Sequence, residues 1–147
     1  MRFLVDTNIL LYAVNTTAPE YAAARRFFND TAARATPWCL TWSVIYEFLR
    51  VSTHHRVFAK PLDAKKAWSF IEVLLQSGMV SILHSTERHS SVLRQTLAEH
   101  PSTMGNLFHD FHTAVLLREH GVSEIITADT DFLQFRFLKV TNPIHRL

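Results

Sequence analysis

The residues of this chain with the clearest chemical potential are two acids that follow predicted strands. Asp6 comes directly after the apolar run Phe3 to Val5, and Asp129 comes directly after the segment E-I-I-T-A, residues 124 to 128. Short apolar runs of this kind are typical of buried strands in a parallel sheet. Because ligands bind at the carboxyl edge of such sheets, we expect both acids at one ligand-binding edge.

A third acid, Asp110, lies on the apolar face of the helix predicted from Asn106 to His120. On a helical wheel its nearest neighbour is Leu117, about 20° away. Burying a charged carboxylate without a cation or hydrogen-bond donors costs roughly several kcal/mol. The same wheel predicts that His109 and His112 point away from Asp110, as surface or packing residues.

A fourth acid, Glu47, lies at the margin of the apolar face of the helix predicted from Ser43 to Val51, where a cleft could use it. Three of the acids also have an ordinary structural interpretation. Asp6 could simply cap the helix that follows it, and Glu47 could be a solvated helix residue. Asp110 could pair with a buried basic side chain.

Together the four acids favour a metal site. A cluster of like charges is stable only when it is protonated or neutralised by a cation. Carboxylate oxygens without accompanying Cys or a convincing His set favour Mg²⁺ or Mn²⁺ over zinc. The chemistry that fits is phosphodiester hydrolysis, in which one or two ions, ~3.5–4 Å apart if two, activate water and stabilise charge on the phosphate.

The composition limits the remaining possibilities. A chain of 147 residues without a linker or repeat predicts one domain, residues 1–147. The net charge of +2 is compatible with a polyanionic partner. Three glycines exclude a glycine-rich phosphate loop. We expect a cytoplasmic protein without membrane contact, because the chain shows neither a membrane-length apolar run nor a secretory signal.

Strand and helix patterns alternate along the whole chain. Besides the two strands above, short strands are predicted over 38–41, 80–83 and 137–140, and one of the intervening helices over Thr86 to Glu99. This alternation predicts an α/β fold, a three-layer α/β/α sandwich around a mainly parallel sheet of about five strands.

Four segments in this order and spacing resemble the PIN-domain ribonucleases, specifically the VapC-type toxins of bacterial type II toxin–antitoxin pairs. They are D-T-N after the first strand, S-V-I-Y-E-F-L-R-V around Glu47, H-D-F-H-T-A around Asp110 and T-A-D-T-D-F around Asp129. The resemblance extends over nearly the whole chain. It implies a PIN-like fold and an Mg²⁺- or Mn²⁺-dependent endoribonuclease.

The resemblance also implies roles for individual residues. The catalytic, metal-binding acids would be Asp6, Glu47, Asp110 and Asp129. Asn8 would orient the first aspartate, and Thr127 would support the site from its strand. Asp131 is a possible additional ligand, and the spacing leaves open whether Asp129 or Asp131 touches the metal. Glu47 is likewise a possible rather than an assigned direct ligand.

The partners implied by the resemblance are an RNA substrate, a cognate VapB-like antitoxin and a second copy of the chain in a homodimer. Basic residues are candidates for RNA backbone contacts, although each could simply be a solvated surface charge; they are Arg56, Lys60, Lys65, Lys66 and Arg136. Two other functions remain open. The same acids could serve a phosphatase or DNA nuclease, and a PIN-like module could bind RNA or protein without cleaving it.

Overall fold

A computed structural model describes residues 2–145, which form five strands and six α-helices. The strands are β1 (Leu4–Val5), β2 (Trp38–Leu40), β3 (Val80–Ile82), β4 (Glu124–Ile126) and β5 (Lys139–Thr141). The helices are α1 (Thr7–Val14), α2 (Tyr21–Ala33), α3 (Trp42–Ser52), α4 (Ala64–Gln76), α5 (His89–Glu99) and α6 (Leu107–Glu119). A 3-10 turn, Thr130–Gln134, lies between β4 and β5.

The five strands form one parallel sheet in the order β3-β2-β1-β4-β5. Because parallel neighbours need crossover connections, helices cover both faces of the sheet. The predicted three-layer α/β/α fold is therefore confirmed. The central strand is β1, which pairs with β2 through Leu4 and Cys39 and with β4 through Val5 and Ile126.

Apolar burial holds the centre of this sandwich together. Leu4 and Val5 of β1 are completely buried, as is Ile125 of β4. Phe48 of α3 and Leu117 of α6 belong to the same core cluster. Full burial of one such side chain contributes about 2 kcal/mol. The first strand consequently fixes the position of whatever follows it.

Two elements begin later than the sequence predicts. The helix predicted from Thr86 begins at His89, because the preceding turn is tied to α6 instead. There the buried Glu119 accepts hydrogen bonds from the backbone N–H of Thr86 and, at 2.6 Å, from Nδ1 of His89. The last strand begins at Lys139 rather than at residue 137.

Within residues 2–145, no helix combines the length and the apolar character that crossing a bilayer requires.

Candidate active site

The candidate site lies where the order of the strands reverses. From β1 the chain proceeds to β2 and β3 on one side, whereas β4 and β5 lie on the other. Ligands of open α/β sheets bind in the crevice at this switch point, outside the carboxyl ends of the strands. A cavity of about 980 Å³ opens there, and residues of α1, α3 and α6 and the segment after β4 line it.

Asp6 follows β1 at the floor of the cavity, and its role as a helix cap does not exclude the functional role that the sequence left open. Its Oδ1 accepts a 2.8 Å hydrogen bond from the backbone N–H of Thr7, so it caps α1. Its Oδ2 accepts bonds from the Oγ1 of Thr127 at 2.7 Å and from the Nδ2 of Asn8 at 3.2 Å. An ionised carboxylate has about four acceptor positions, so capping still leaves capacity for another ligand.

Asn8 and Thr127 join the first turn of α1 to the end of β4. Besides contacting Asp6, Asn8 donates to Thr127 Oγ1 at 3.1 Å and accepts from the backbone N–H of Ala128 at 3.0 Å. The buried Thr127 hydroxyl also accepts from the backbone N–H of Asp129 at 3.0 Å. These bonds fix the relative positions of Asp6 and Asp129. The resemblance implies supporting roles for the same two residues, Asn8 and Thr127.

Three carboxylates converge beside this floor. One carboxylate oxygen from each of Asp110, Asp129 and Asp131 lies within 4.8 Å of the other two. Asp110 comes from the first turn of α6, where the helix dipole favours negative charge. The backbone N–H of Asp131 donates to Asp129 Oδ1 at 2.8 Å, and this bond folds the short turn so that both acids face Asp110. Among residues 2–145, this close group includes neither Asp6 nor Glu47.

The electrostatics of the cluster act against full ionisation. Burial, followed by the charges of Asp129 and Asp6, raises the pKa of Asp110 to about 7. Burial also raises the pKa of Asp6, and the charge of Asp129 adds to this effect. The hydrogen bonds from Thr127, Thr7 and Asn8 oppose the rise. Full ionisation of these acids at neutral pH is therefore unfavourable unless a cation compensates their charge.

Glu47 lines the wall of the cavity but is engaged elsewhere. Arg50, one turn further along α3, donates from Nε to Glu47 Oε2 at 3.0 Å and from an Nη to Oε1 at 2.5 Å. This bidentate bond lowers the pKa of Glu47, with a smaller contribution from His109. The sequence pattern placed Glu47 in a cleft, and the structure does so, but its carboxylate faces a guanidinium.

Two histidines of α6 are exposed, as the helical wheel predicts, and neither belongs to the close group of acids. His109 and His112 both line the cavity that contains Asp110. The helical wheel placed them correctly relative to Asp110, but the cavity is wide enough to include both flanks of α6. The Nδ1 of His112 lies 3.4 Å from the hydroxyl of Ser43, across the cavity on α3.

The basic residues proposed as RNA contacts lie outside the cavity. All five are exposed, and none is among the residues that line it; they are Arg56, Lys60, Lys65, Lys66 and Arg136. The cavity's own guanidinium is Arg50, which sequence reasoning missed. Its spacing of three residues from Glu47 was the available signal, because such pairs meet on a helix surface.

Comparison with known proteins agrees with this geometry. The PIN domain family model matches residues 3–138. Ribonuclease VapC33 of Mycobacterium tuberculosis strain H37Rv is 34% identical over 142 residues, which are 95% of this chain and 96% of that protein.

Solved structures show the same fold at lower identity. The sarcin-ricin loop cleaving toxin VapC20 of Mycobacterium tuberculosis aligns with a TM-score of 0.67 and 18% identity, over 95% of this chain and 99% of that one. VapBC2 of Rickettsia felis, bound to a DNA fragment from its promoter, aligns with a TM-score of 0.64 and 18% identity, over 97% and 98%. With its acids at the switch point of a parallel sheet, this chain belongs to the PIN-domain family and groups there with the VapC ribonucleases.

Proposed function

We propose that this protein is a divalent-metal-dependent endoribonuclease, the toxin of a toxin–antitoxin pair, acting in the cytoplasm as a single domain spanning residues 1–147. The observation that carries the proposal is the convergence of Asp110, Asp129 and Asp131 beside Asp6. Similarity to named ribonucleases over almost the whole chain supports the reaction class.

The donor set fits Mg²⁺ or Mn²⁺. The converging atoms are carboxylate oxygens, which hard divalent cations prefer, and the close group contains neither sulfur nor imidazole. The raised pKa of Asp110 reflects charge repulsion that a cation would relieve. Asp110 and Asp129 would hold the ion, with Asp6 and Asp131 as additional ligands.

When bound, a divalent ion supplies Lewis acidity toward water and the scissile phosphate. The chain's own residues prepare the site for it. Thr127, Asn8 and the N–H of Thr7 orient the Asp6 carboxylate and favour its ionised form against burial, since all three donate to it. Glu47 remains a candidate catalytic acid, and its carboxylate would reach the other acids only after leaving Arg50.

We propose an RNA substrate and two protein partners on the basis of similarity. The relatives are named ribonucleases, and VapBC2 of Rickettsia felis was crystallised with a DNA fragment from its promoter. By analogy, a VapB-like antitoxin would bind this chain, and the toxin would form a homodimer. Coexpression with a VapB-like antitoxin and size-exclusion chromatography would test both partners.

The function is tested by incubating total cellular RNA with the purified chain, with Mg²⁺, with Mn²⁺ and with EDTA. Asp110→Asn is the test variant. Asp63→Asn is the control, because Asp63 is an exposed acid that caps α4 through Lys66 and lies outside the cavity. We expect discrete, metal-dependent fragments from the unmodified chain and the control, and none from Asp110→Asn.

Other results would contradict the proposal. Intact RNA in every metal condition, with hydrolysis of a phosphomonoester or of DNA instead, would favour a phosphatase or a DNA nuclease. RNA binding without any cleavage would favour a non-catalytic module. If Asp110→Asn cleaved RNA as well as the unmodified chain does, the acids would not be needed for the reaction.

A further inference from the structure

Helix α3 carries a row of exposed side chains beside the cavity. Trp42, Tyr46 and Arg50 follow one another at intervals of four residues, so they lie along one side of the helix, about 6 Å apart per step. Trp42 is 41% and Tyr46 68% exposed, and the side chain of Arg50 is 64% exposed. Adjacent exposed aromatic residues commonly mark a binding surface.

This row continues the wall of the catalytic cavity. Tyr46 and Arg50 line the cavity together with Asp6, Asp110 and Asp129. Trp42 contacts Tyr46, with ring centroids 6.4 Å apart and planes inclined by 52°. A polymer that enters the cavity along α3 would therefore pass over Tyr46.

The chemistry of the row matches unpaired nucleotides. Bases stack on aromatic side chains when their faces are free, whereas in a duplex neighbouring bases cover those faces. A guanidinium complements the phosphate backbone. Arg50 gives two N–H groups to Glu47, and its five donors leave others for a phosphate. The arrangement also places a cation beside an otherwise acidic cavity, where a polyanion must enter.

Resting on the ribonuclease function proposed above, we propose that Trp42, Tyr46 and Arg50 form a platform for single-stranded RNA. Tyr46 and Trp42 stack unpaired bases next to the cleaved bond, and Arg50 binds a backbone phosphate. Because stacking needs open base faces, the two rings contribute nothing to the binding of paired RNA. These three residues are binding residues, and the acids remain the reacting centre.

The platform is tested by RNA binding in the Asp110→Asn background without metal, so that no cleavage interferes. The probe is a fluorescein-labelled oligoadenylate of about 12 nucleotides, which suits a short stacking surface. Matched probes are an abasic ribose-phosphate strand and an RNA duplex of the same length. The variants are Tyr46→Ala, Trp42→Ala, Tyr46→Phe and Arg50→Gln. Trp68→Ala is the control, because Trp68 is similarly exposed at 36% but lies outside the cavity.

We expect Tyr46→Ala and Trp42→Ala each to weaken oligoadenylate binding by about 5- to 150-fold, the measured range for one stacked base. Binding of the abasic strand should not change. Tyr46→Phe and Trp68→Ala should bind like the parent. Arg50→Gln should weaken binding of the oligoadenylate and of the abasic strand equally. It should also reduce the slope of log K against log salt concentration by about 0.7 in magnitude, the value for one phosphate contact on a single strand.

The platform is overturned if both alanine variants bind oligoadenylate like the parent, or if the duplex binds as tightly as the single strand. Unchanged affinity with an altered sedimentation coefficient would instead assign this face to a contact between copies of the chain. Failure of the ribonuclease itself gives a different result. The unmodified chain would then leave total RNA intact while retaining its preference for oligoadenylate over the abasic strand.

Discussion

Replacing Asp110 by asparagine should stabilise the metal-free protein, although it abolishes activity. Asparagine has almost the shape of aspartate but carries no charge. In the folded protein, burial and the charges of Asp129 and Asp6 raise the pKa of Asp110 from 3.8 to about 7. An acid whose pKa is raised on folding binds its proton more tightly in the folded state. Stability is therefore lost as the pH rises between these two values.

The size of the effect follows from the shift. A change of about 3 pKa units corresponds to about 4 kcal/mol at most, at 1.36 kcal/mol per unit. Asp110 borders a cavity open to water and is only half-buried, so solvent screening reduces this to about 1–2 kcal/mol. For a chain of this length, that gain raises Tm by about 4 °C.

Urea denaturation in EDTA measures the prediction. Asp110→Asn should be more stable than the unmodified chain at about pH 8, and the difference should vanish near about pH 3, below the ordinary aspartate pKa. Excess Mg²⁺ should make the unmodified chain more stable than Asp110→Asn. A ligand at about 100 times its Kd stabilises the protein that binds it by about 2.7 kcal/mol. Asp63→Asn should show neither effect. A variant that is less stable at pH 8, or a difference independent of pH, would refute the repulsion argument.

Three further changes test the supporting structure. Thr127→Val should cost about 1–3 kcal/mol in urea denaturation and weaken Mn²⁺ binding in calorimetry, because Asp6 loses a donor; Thr127→Ser should restore both. Glu119→Gln should destabilise by about 2 kcal/mol at neutral pH. Burial raises the pKa of Glu119, but hydrogen bonds from Thr86 and His89 lower it overall, so this difference should shrink as the pH falls below about 4. Ala35→Gly should raise Tm slightly, gaining about 0.5 kcal/mol, because Ala35 has φ 51°.

The fold and the floor of the site follow from local patterns. Apolar runs that end in an acid predicted Asp6 and Asp129 at one sheet edge, and the parallel sheet places the carboxyl ends of β1 and β4 side by side. The apolar face of α6 predicted the partly buried position of Asp110 in the same way. These features depend on residues that are close in the chain or on strand order.

Contacts between side chains on a helix surface were harder to predict. The position of Glu47 on α3 was predictable, but its bond to Arg50 depends on rotamers that periodicity does not specify. The width of the cavity, which brings in His109 and His112, depends on how α3 and α6 are spaced across the sheet. The start of α5 likewise depends on Glu119, a residue 30 positions from its bonded partner His89.

The central claim is that these acids hold a divalent ion. The most direct measurement is an anomalous difference map, recorded near the manganese absorption edge from crystals of the unmodified chain grown with Mn²⁺. We predict a peak coordinated by Asp110 and Asp129, with Asp131 or Asp6 nearby, and no such peak in Asp110→Asn crystals. Manganese bound only elsewhere, or an equally strong peak in Asp110→Asn crystals, would contradict it.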